Sequence, residues 1–218
     1  MVPWIATNDS IVVGIAQVRH LTVPAPAPLP SHEMMAGLLA CGPSVEPTTL
    51  QVILRVESGA QPYAINVNGL SVQPLPVRSQ AEATATAESW VARGYSVDLG
   101  LMQVNSRNLG ALGYSIAQMF DPCINVRAGA AVLTKDYLAA LTIKPDPQSA
   151  LRAALSAYNT GSFERGFYNG YVAKYYGAAS GFGVSIITAA AFRRARRTAP
   201  LNPYTAQPTV YHRSGSNE

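Results

Sequence analysis

Histidine is scarce in this chain, and none falls in its middle. His20, His32 and His212 all lie in stretches that read as tails. A Ser-His-Asp triad, a Cys-His pair and a His/Cys zinc site therefore lack parts in the body of the protein. Cysteine is nearly as rare, with Cys41 and Cys123 alone. Neither common Gly-rich phosphate loop occurs. No run of eighteen apolar residues occurs either, so there is no signal for a spanning helix. Charge is sparse, at 13% of residues, and the net +4 misleads. Arg193, Arg194, Arg196 and Arg197 supply four positive charges, and the rest of the chain balances. A broad nucleic-acid-binding face is not expected. Chemistry done by carboxylates, with no cofactor and no metal, survives these exclusions.

The 218 residues suit one domain with tails. Residues 1–33 read as a leader or flexible tail. Ser10 to Val18 is apolar, but Asp9 precedes it and no Lys or Arg lies upstream, which makes a poor secretory signal. Val23 to Pro30 is a Pro-Ala linker. Leu38-Leu39-Ala40-Cys41 has the look of a lipoprotein cleavage box. Pro-rich sequence stands where its long apolar stretch should be, so an ordinary helix is the better reading. Met34 or Met35 is an alternative start. Residues 34–197 form the expected domain, and 198–218 a disordered tail.

Local chemistry predicts mostly helix. Ser31 can cap a short helix from Met34 to Cys41. Pro47 suits the first position of the next, where its missing N–H costs nothing. Tyr63 to Val67, Asn68-Gly69 and Leu70 to Gln73 read as a β-hairpin. Ser79-Gln-Ala-Glu82 is a capping box for a helix to about Arg93, which Gly94 ends. Asn105-Ser106-Arg107-Asn108 can cap a further turn. Asp121-Pro122 and Asp146-Pro147 open helices over about 124–141 and 148–158. Gly170 to Tyr176 reads as a short aromatic helix and Val184 to Arg197 as a last one. The arginines there suit a solvated helix end, with anionic polymer, membrane or partner docking as alternatives. The fold class is mainly α, with one small β-hairpin insert.

Within Gln51 to Gly59, Leu50, Ile53, Leu54 and Glu57 fall on one helical face. A carboxyl held against apolar groups favours its protonated form and can donate a proton. Ser58-Gly59 ends the helix at once, which puts Glu57 beside a loop. A glutamate pointing into water at a frayed end is the competing reading of this stretch alone.

Four signatures stand in order: Glu57-Ser58-Gly59, Gly100-Leu101-Met102-Gln103, the Asp121-Pro122 helix with Asn125 and Gly129, and Ala157-Tyr158-Asn159-Thr160-Gly161. Together they resemble the soluble lytic transglycosylase family of lysozyme-like enzymes, over roughly residues 38 to 176. The branch that belongs to type IV secretion systems is most similar. It shares Cys41-Gly42-Pro43-Ser44-Val45, the Asn-Ser-Arg-Asn run, Ala-Tyr-Asn-Thr-Gly, and the Gly-Phe-Tyr-Asn-Gly-Tyr-Val segment of residues 166–172. The resemblance implies an α+β lysozyme-like fold, Glu57 as catalytic acid, and sugar contacts at Ser58, Met102, Gln103, Asn105, Tyr158 and Asn159. Asn66 stands where many members place a serine near the acid, and its amide can hydrogen-bond a carboxyl.

Peptidoglycan glycan strands and secretion-channel subunits are the partners so implied, and the bacterial periplasm the place. Two-carboxylate hydrolysis would need Asp98 beside Glu57. Asp98 reads instead as a solvated turn residue. A non-catalytic assembly factor is the reading from another class. In an extracytoplasmic setting Cys41 and Cys123 are expected as a disulfide, with two thiols as the alternative.

Overall fold

A computed structural model of the chain describes residues 31–180, with side chains through residue 175. The helix expected at Val184–Arg197, its arginine cluster, residues 1–30 and the 198–218 tail lie outside the described residues, while residues 31–33, expected in the first tail, cap and open the first helix. Within them are α1 (His32–Ala40), α2 (Pro47–Ser58), β1 (Ile65–Val67), α3 (Gln80–Ala92), β2 (Val97–Leu99) and β3 (Val104–Asn105). They continue with α4 (Leu109–Leu112), α5 (Pro122–Ile143), α6 (Pro147–Thr160), α7 (Arg165–Tyr168) and α8 (Tyr171–Ser180). Two short 3₁₀ turns, Ser106–Asn108 and Ala117–Phe120, complete the order.

Helix starts follow the side chains that precede them. Ser31 accepts from the Met34 N–H, Ser79 from Glu82, Asp121 from Ile124 and Asp146 from Ser149. Each such cap is worth about 1 kcal/mol. Glu46 caps α2 in the same way, accepting from the Thr49 N–H, with Pro47 behind it. The Ser79 box closes differently from its usual reciprocal form. The Glu82 carboxylate reaches the N–H of Arg78, one residue before the cap.

The three strands form one antiparallel sheet in the order β1-β2-β3. This corrects the hairpin expected at Tyr63–Gln73. Val67 ends β1, which pairs with β2 some thirty residues on, in the register Asn66 opposite Asp98. The turn at Asn68-Gly69 does form, with Leu70 N–H to the Val67 carbonyl at 3.3 Å. Only Gly69 has positive φ there, at 88°. That is the type II pattern, which splays strands rather than pairing them. The Gln73 carboxamide takes the place of a returning strand. It accepts from the Val67 N–H at 2.7 Å and donates to the Val67 carbonyl at 3.0 Å.

The core lies between α2, the sheet, α5 and α6. Val126, Ala130, Leu133 and Tyr137 of α5 are buried, as are Leu151, Ala154, Leu155 and Tyr158 of α6. A short link at Lys144–Asp146 brings α6 back against α5. Leu50, Ile53 and Leu54 bury the inner face of α2, at roughly 1.5–3 kcal/mol each. Among the described residues no helix is long and apolar enough to cross a membrane.

Asp136 sits buried in the same α5 wall. Burial pushes its carboxyl up from 3.8 to about 8, against the opposing charge of Lys135. In the unfolded chain the group ionises near 4. Between those values the folded state holds one more proton, so stability falls as pH rises from about 4 to 8 and is level beyond. Asp136→Asn should remove up to about 1.4 kcal/mol per pH unit of that slope. Urea midpoints of the two proteins should converge near pH 4 and favour the variant at pH 8. Parallel slopes would show that Asp136 is ionised in the fold.

Candidate active site

Glu57 stands in the last turn of α2, partly exposed. Gly59 at φ 63° ends the helix, and the next residue, Ala60, also has positive φ, 62°. Without the freedom of glycine, Ala60 holds a conformation that side chains disfavour. Its N–H reaches back to the Leu54 carbonyl at 3.0 Å and locks the helix end.

Two phenols fix the acid. The hydroxyls of Tyr171 and Tyr175 both donate to Glu57 Oε1, Tyr175 at 2.5 Å. They lie one turn apart on α8, which packs against α2. Burial pushes the Tyr175 phenol well above its usual value of 10. It therefore remains an O–H donor through the neutral range. The sequence signal for this pair was a tyrosine at i and i+4 in a short aromatic helix. It assigned neither of them a role.

The Gly100–Gln103 turn lies against the end of α2. Ser58 Oγ donates to the Leu101 carbonyl at 2.8 Å, and Tyr158 OH to the Met102 carbonyl at 2.7 Å. Asn125 Oδ1 accepts from the Met102 N–H at 2.7 Å, while its Nδ2 donates to the carbonyls of Leu99 and Met119. Gly100 has φ 68°, and a Cβ there would meet Asn125 Nδ2 and the Met119 carbonyl at 2.5 Å. Gly129 is required for a matching reason, since its Cβ would lie 2.6–2.9 Å from the Met102 side chain.

Several residues expected to touch sugar are buried and hold the framework of the site. Met102 is fully buried, with its side chain wedged against α5 at Gly129 rather than facing a groove. Gln103 is also buried, at φ 48°, and its amide donates to the carbonyls of Gly100 and Ala64. Both shape the turn through its backbone. Asn159 is buried and its carbonyl oxygen accepts from Asn169, which in turn accepts from the Tyr171 N–H. That relay ties the end of α6 to the start of α8.

Asn66 and Asn105 form a separate cluster. They stand opposite Asp98 in the register of the sheet, so all three share one row. Asn66 and Asn68 donate to Asp98 Oδ2 at 3.0 and 3.1 Å, and Asn105 to Oδ1 at 2.7 Å. Asp98 has no exposed surface. The expectation of a solvated turn residue is therefore wrong. A buried carboxyl must be hydrogen-bonded, and three carboxamides serve it. Asn66 faces this carboxyl rather than Glu57. Asn105 is itself buried and also caps the following 3₁₀ turn through the Arg107 N–H. Among the described residues no group of three or more His, Cys, Asp and Glu could hold a metal ion.

A partly exposed acid at a helix end, braced by a glycine turn and two phenols, is the arrangement on which comparison with known proteins bears. Residues 34–178 match the family described as Transglycosylase SLT domain. The chain belongs to this family. Its helical body and small sheet are the mainly α, lysozyme-like architecture expected of it. The chain is 45% identical over 128 residues to the type IV secretion system protein virB1 of Brucella suis biovar 1 (strain 1330). That match covers 58% of this chain and 53% of the relative. It is 40% identical over 148 residues to protein virB1 of Agrobacterium fabrum (strain C58), covering 68% of this chain and 60% of the relative. The chain thus spans between half and two thirds of these relatives. No solved structure matches it.

Cys41, at the end of α1, is bonded to Cys123 in the first turn of α5. The family match begins at residue 34 and so includes both cysteines.

Proposed function

We propose that the chain is a lytic transglycosylase of the bacterial periplasm. It would cleave peptidoglycan between N-acetylmuramic acid and N-acetylglucosamine, leave 1,6-anhydro ends, and open the wall locally for a type IV secretion channel. The observation that carries this reading is Glu57, partly exposed and held by two phenols, in a chain of the transglycosylase family. The secretion setting rests on the printed names of the relatives.

Glu57 gives its proton to the bridging oxygen as the bond from that oxygen to C1 breaks. The acetamido oxygen of the muramic sugar attacks C1 and holds the charge. The C6 oxygen then closes onto C1 as the bond from C1 to the acetamido oxygen breaks, and the C6 hydroxyl proton passes to Glu57, which regains the starting state. One carboxyl acts twice, as acid and then as base. Two-carboxylate hydrolysis needs a second acid open to the substrate. The burial of Asp98 beneath three carboxamides argues against it in that role.

Mass spectrometry of purified sacculi digested by the protein tests the reading. Fragments one water lighter than the hydrolysed sugars are expected. Reducing ends would establish hydrolysis instead. Intact polymer, with glycan still bound, would establish a binding protein of the channel.

A further inference from the structure

Tyr175 lies outside all four sequence signatures, and the single-carboxyl scheme gives its hydroxyl no step of its own. Its ring is fully buried and meets that of Tyr171 edge-on, with centroids 5.1 Å apart. Its hydroxyl lies 2.5 Å from Glu57 Oε1 and 2.5 Å from the Tyr171 hydroxyl. The three oxygens therefore form a closed triangle, with the carboxyl at one corner. A phenylalanine would fill the same space without the cost of burying a hydroxyl. The hydroxyl instead points at the one carboxyl of α2 that faces α8.

We propose that Tyr175 is a positioning residue for the acid. Its hydroxyl holds the Glu57 carboxyl in its reactive orientation and stabilises the charge left when the proton goes to the glycosidic oxygen. It acts through Glu57 and touches no sugar, because its ring has no open surface. The inference rests on the transglycosylase reading for its catalytic part. The hold on Glu57 stands on geometry alone. The high phenol value supports it, since an O–H that does not ionise remains a donor throughout turnover. Charge grows on Glu57 only as the proton leaves. A donor aimed there favours the transition state over the bound ground state.

The test is Tyr175→Phe in the full chain, which keeps the ring and its packing. With soluble glycan strands, kcat should fall about tenfold to a hundredfold, the range of one charge-assisted hydrogen bond. KM should stay within about twofold, because no sugar contact is lost. A purely structural role would not separate the two constants in this way. A second measurement needs no activity. Tyr175→Phe should lower Tm in the wild-type background and lower it less in a Glu57→Ala background, where the hydroxyl has already lost its acceptor. An equal loss of Tm in both backgrounds would overturn the hold on Glu57. A kcat within twofold of wild type would overturn its catalytic part. Should the wild-type protein cleave nothing, the functional reading fails by itself, and the Tm comparison still decides whether Tyr175 holds Glu57.

Discussion

Glu57→Gln should lower glycan cleavage by about 10² or more, the range for losing a general acid, in a protein that still folds and binds. The amide has nearly the shape of the carboxyl, and its oxygen can accept both phenol hydrogens that Oε1 accepts from Tyr171 and Tyr175. The end of α2 keeps Gly59, Ala60 and the Ser58 bond to the Leu101 carbonyl. What disappears is the proton that can leave and return. Turnover on purified sacculi should collapse while sedimentation with the same sacculi persists. Both would be read beside a melting curve close to that of wild type. Near-normal turnover would remove Glu57 from the mechanism and, with it, the single-carboxyl scheme. Loss of binding together with turnover would mean that the carboxyl contributes to holding sugar as well as to cutting it.

Helix starts and the position of the acid were legible in the sequence, because both are decided by neighbours along the chain. Ser31, Pro47, Ser79, Asp121 and Asp146 act within three residues of themselves. Glu57 was visible because a face of apolar residues ended in a carboxyl just before Gly59. The sheet was not legible. A strand of three residues is too short for alternation to show, and Val97, Asp98 and Leu99 are all buried, so there is no outward polar residue to set the period. The side chain of Gln73 replaces the second arm of the expected hairpin, and no composition rule anticipates that. Asp98 misled for the same reason. Its three partners arrive from two places in the chain, Asn66 and Asn68 at the end of β1 and Asn105 in β3, and only the register sets Asn66 and Asn105 on either side of it. Within the site, the burial of Met102 and Gln103 and their part in holding the turn follow from the close approach of α5 at Gly129 and of the Ala64 carbonyl, neither of which local sequence displays. Tyr171 and Tyr175 carried a helical spacing and nothing more, since only the packing of α8 on α2 brings them to the acid.

Replacing both cysteines, as Cys41→Ser with Cys123→Ser, should cost about 4–5 kcal/mol of stability in the loop-entropy account. The bridge closes a loop with a sequence separation of 82, long enough to restrict the unfolded chain strongly. The helix it anchors has few other ties. No residue of α1 is fully buried, and Met35, Leu38 and Leu39 are only partly covered against the core. Much of the hold on α1 is thus covalent. For a domain of this size the loss corresponds to a fall in Tm of roughly 10–15 °C, read by circular dichroism at matched pH. Reduction of the wild-type protein should reproduce it. Activity of the folded variant at low temperature should nevertheless persist. Cys41 precedes α2 in the chain, and about ten residues of helix, on the order of 15 Å, separate the start of α2 from Glu57. The constraint acts chiefly on the unfolded chain, so removing it leaves the bonds of Tyr171, Tyr175 and Ser58 in place. A Tm unchanged within about 2 °C, less than 1 kcal/mol is worth in a domain of this size, would show that α1 is held by packing alone. Loss of cleavage in a variant that still melts cooperatively would show that the first helix shapes the site.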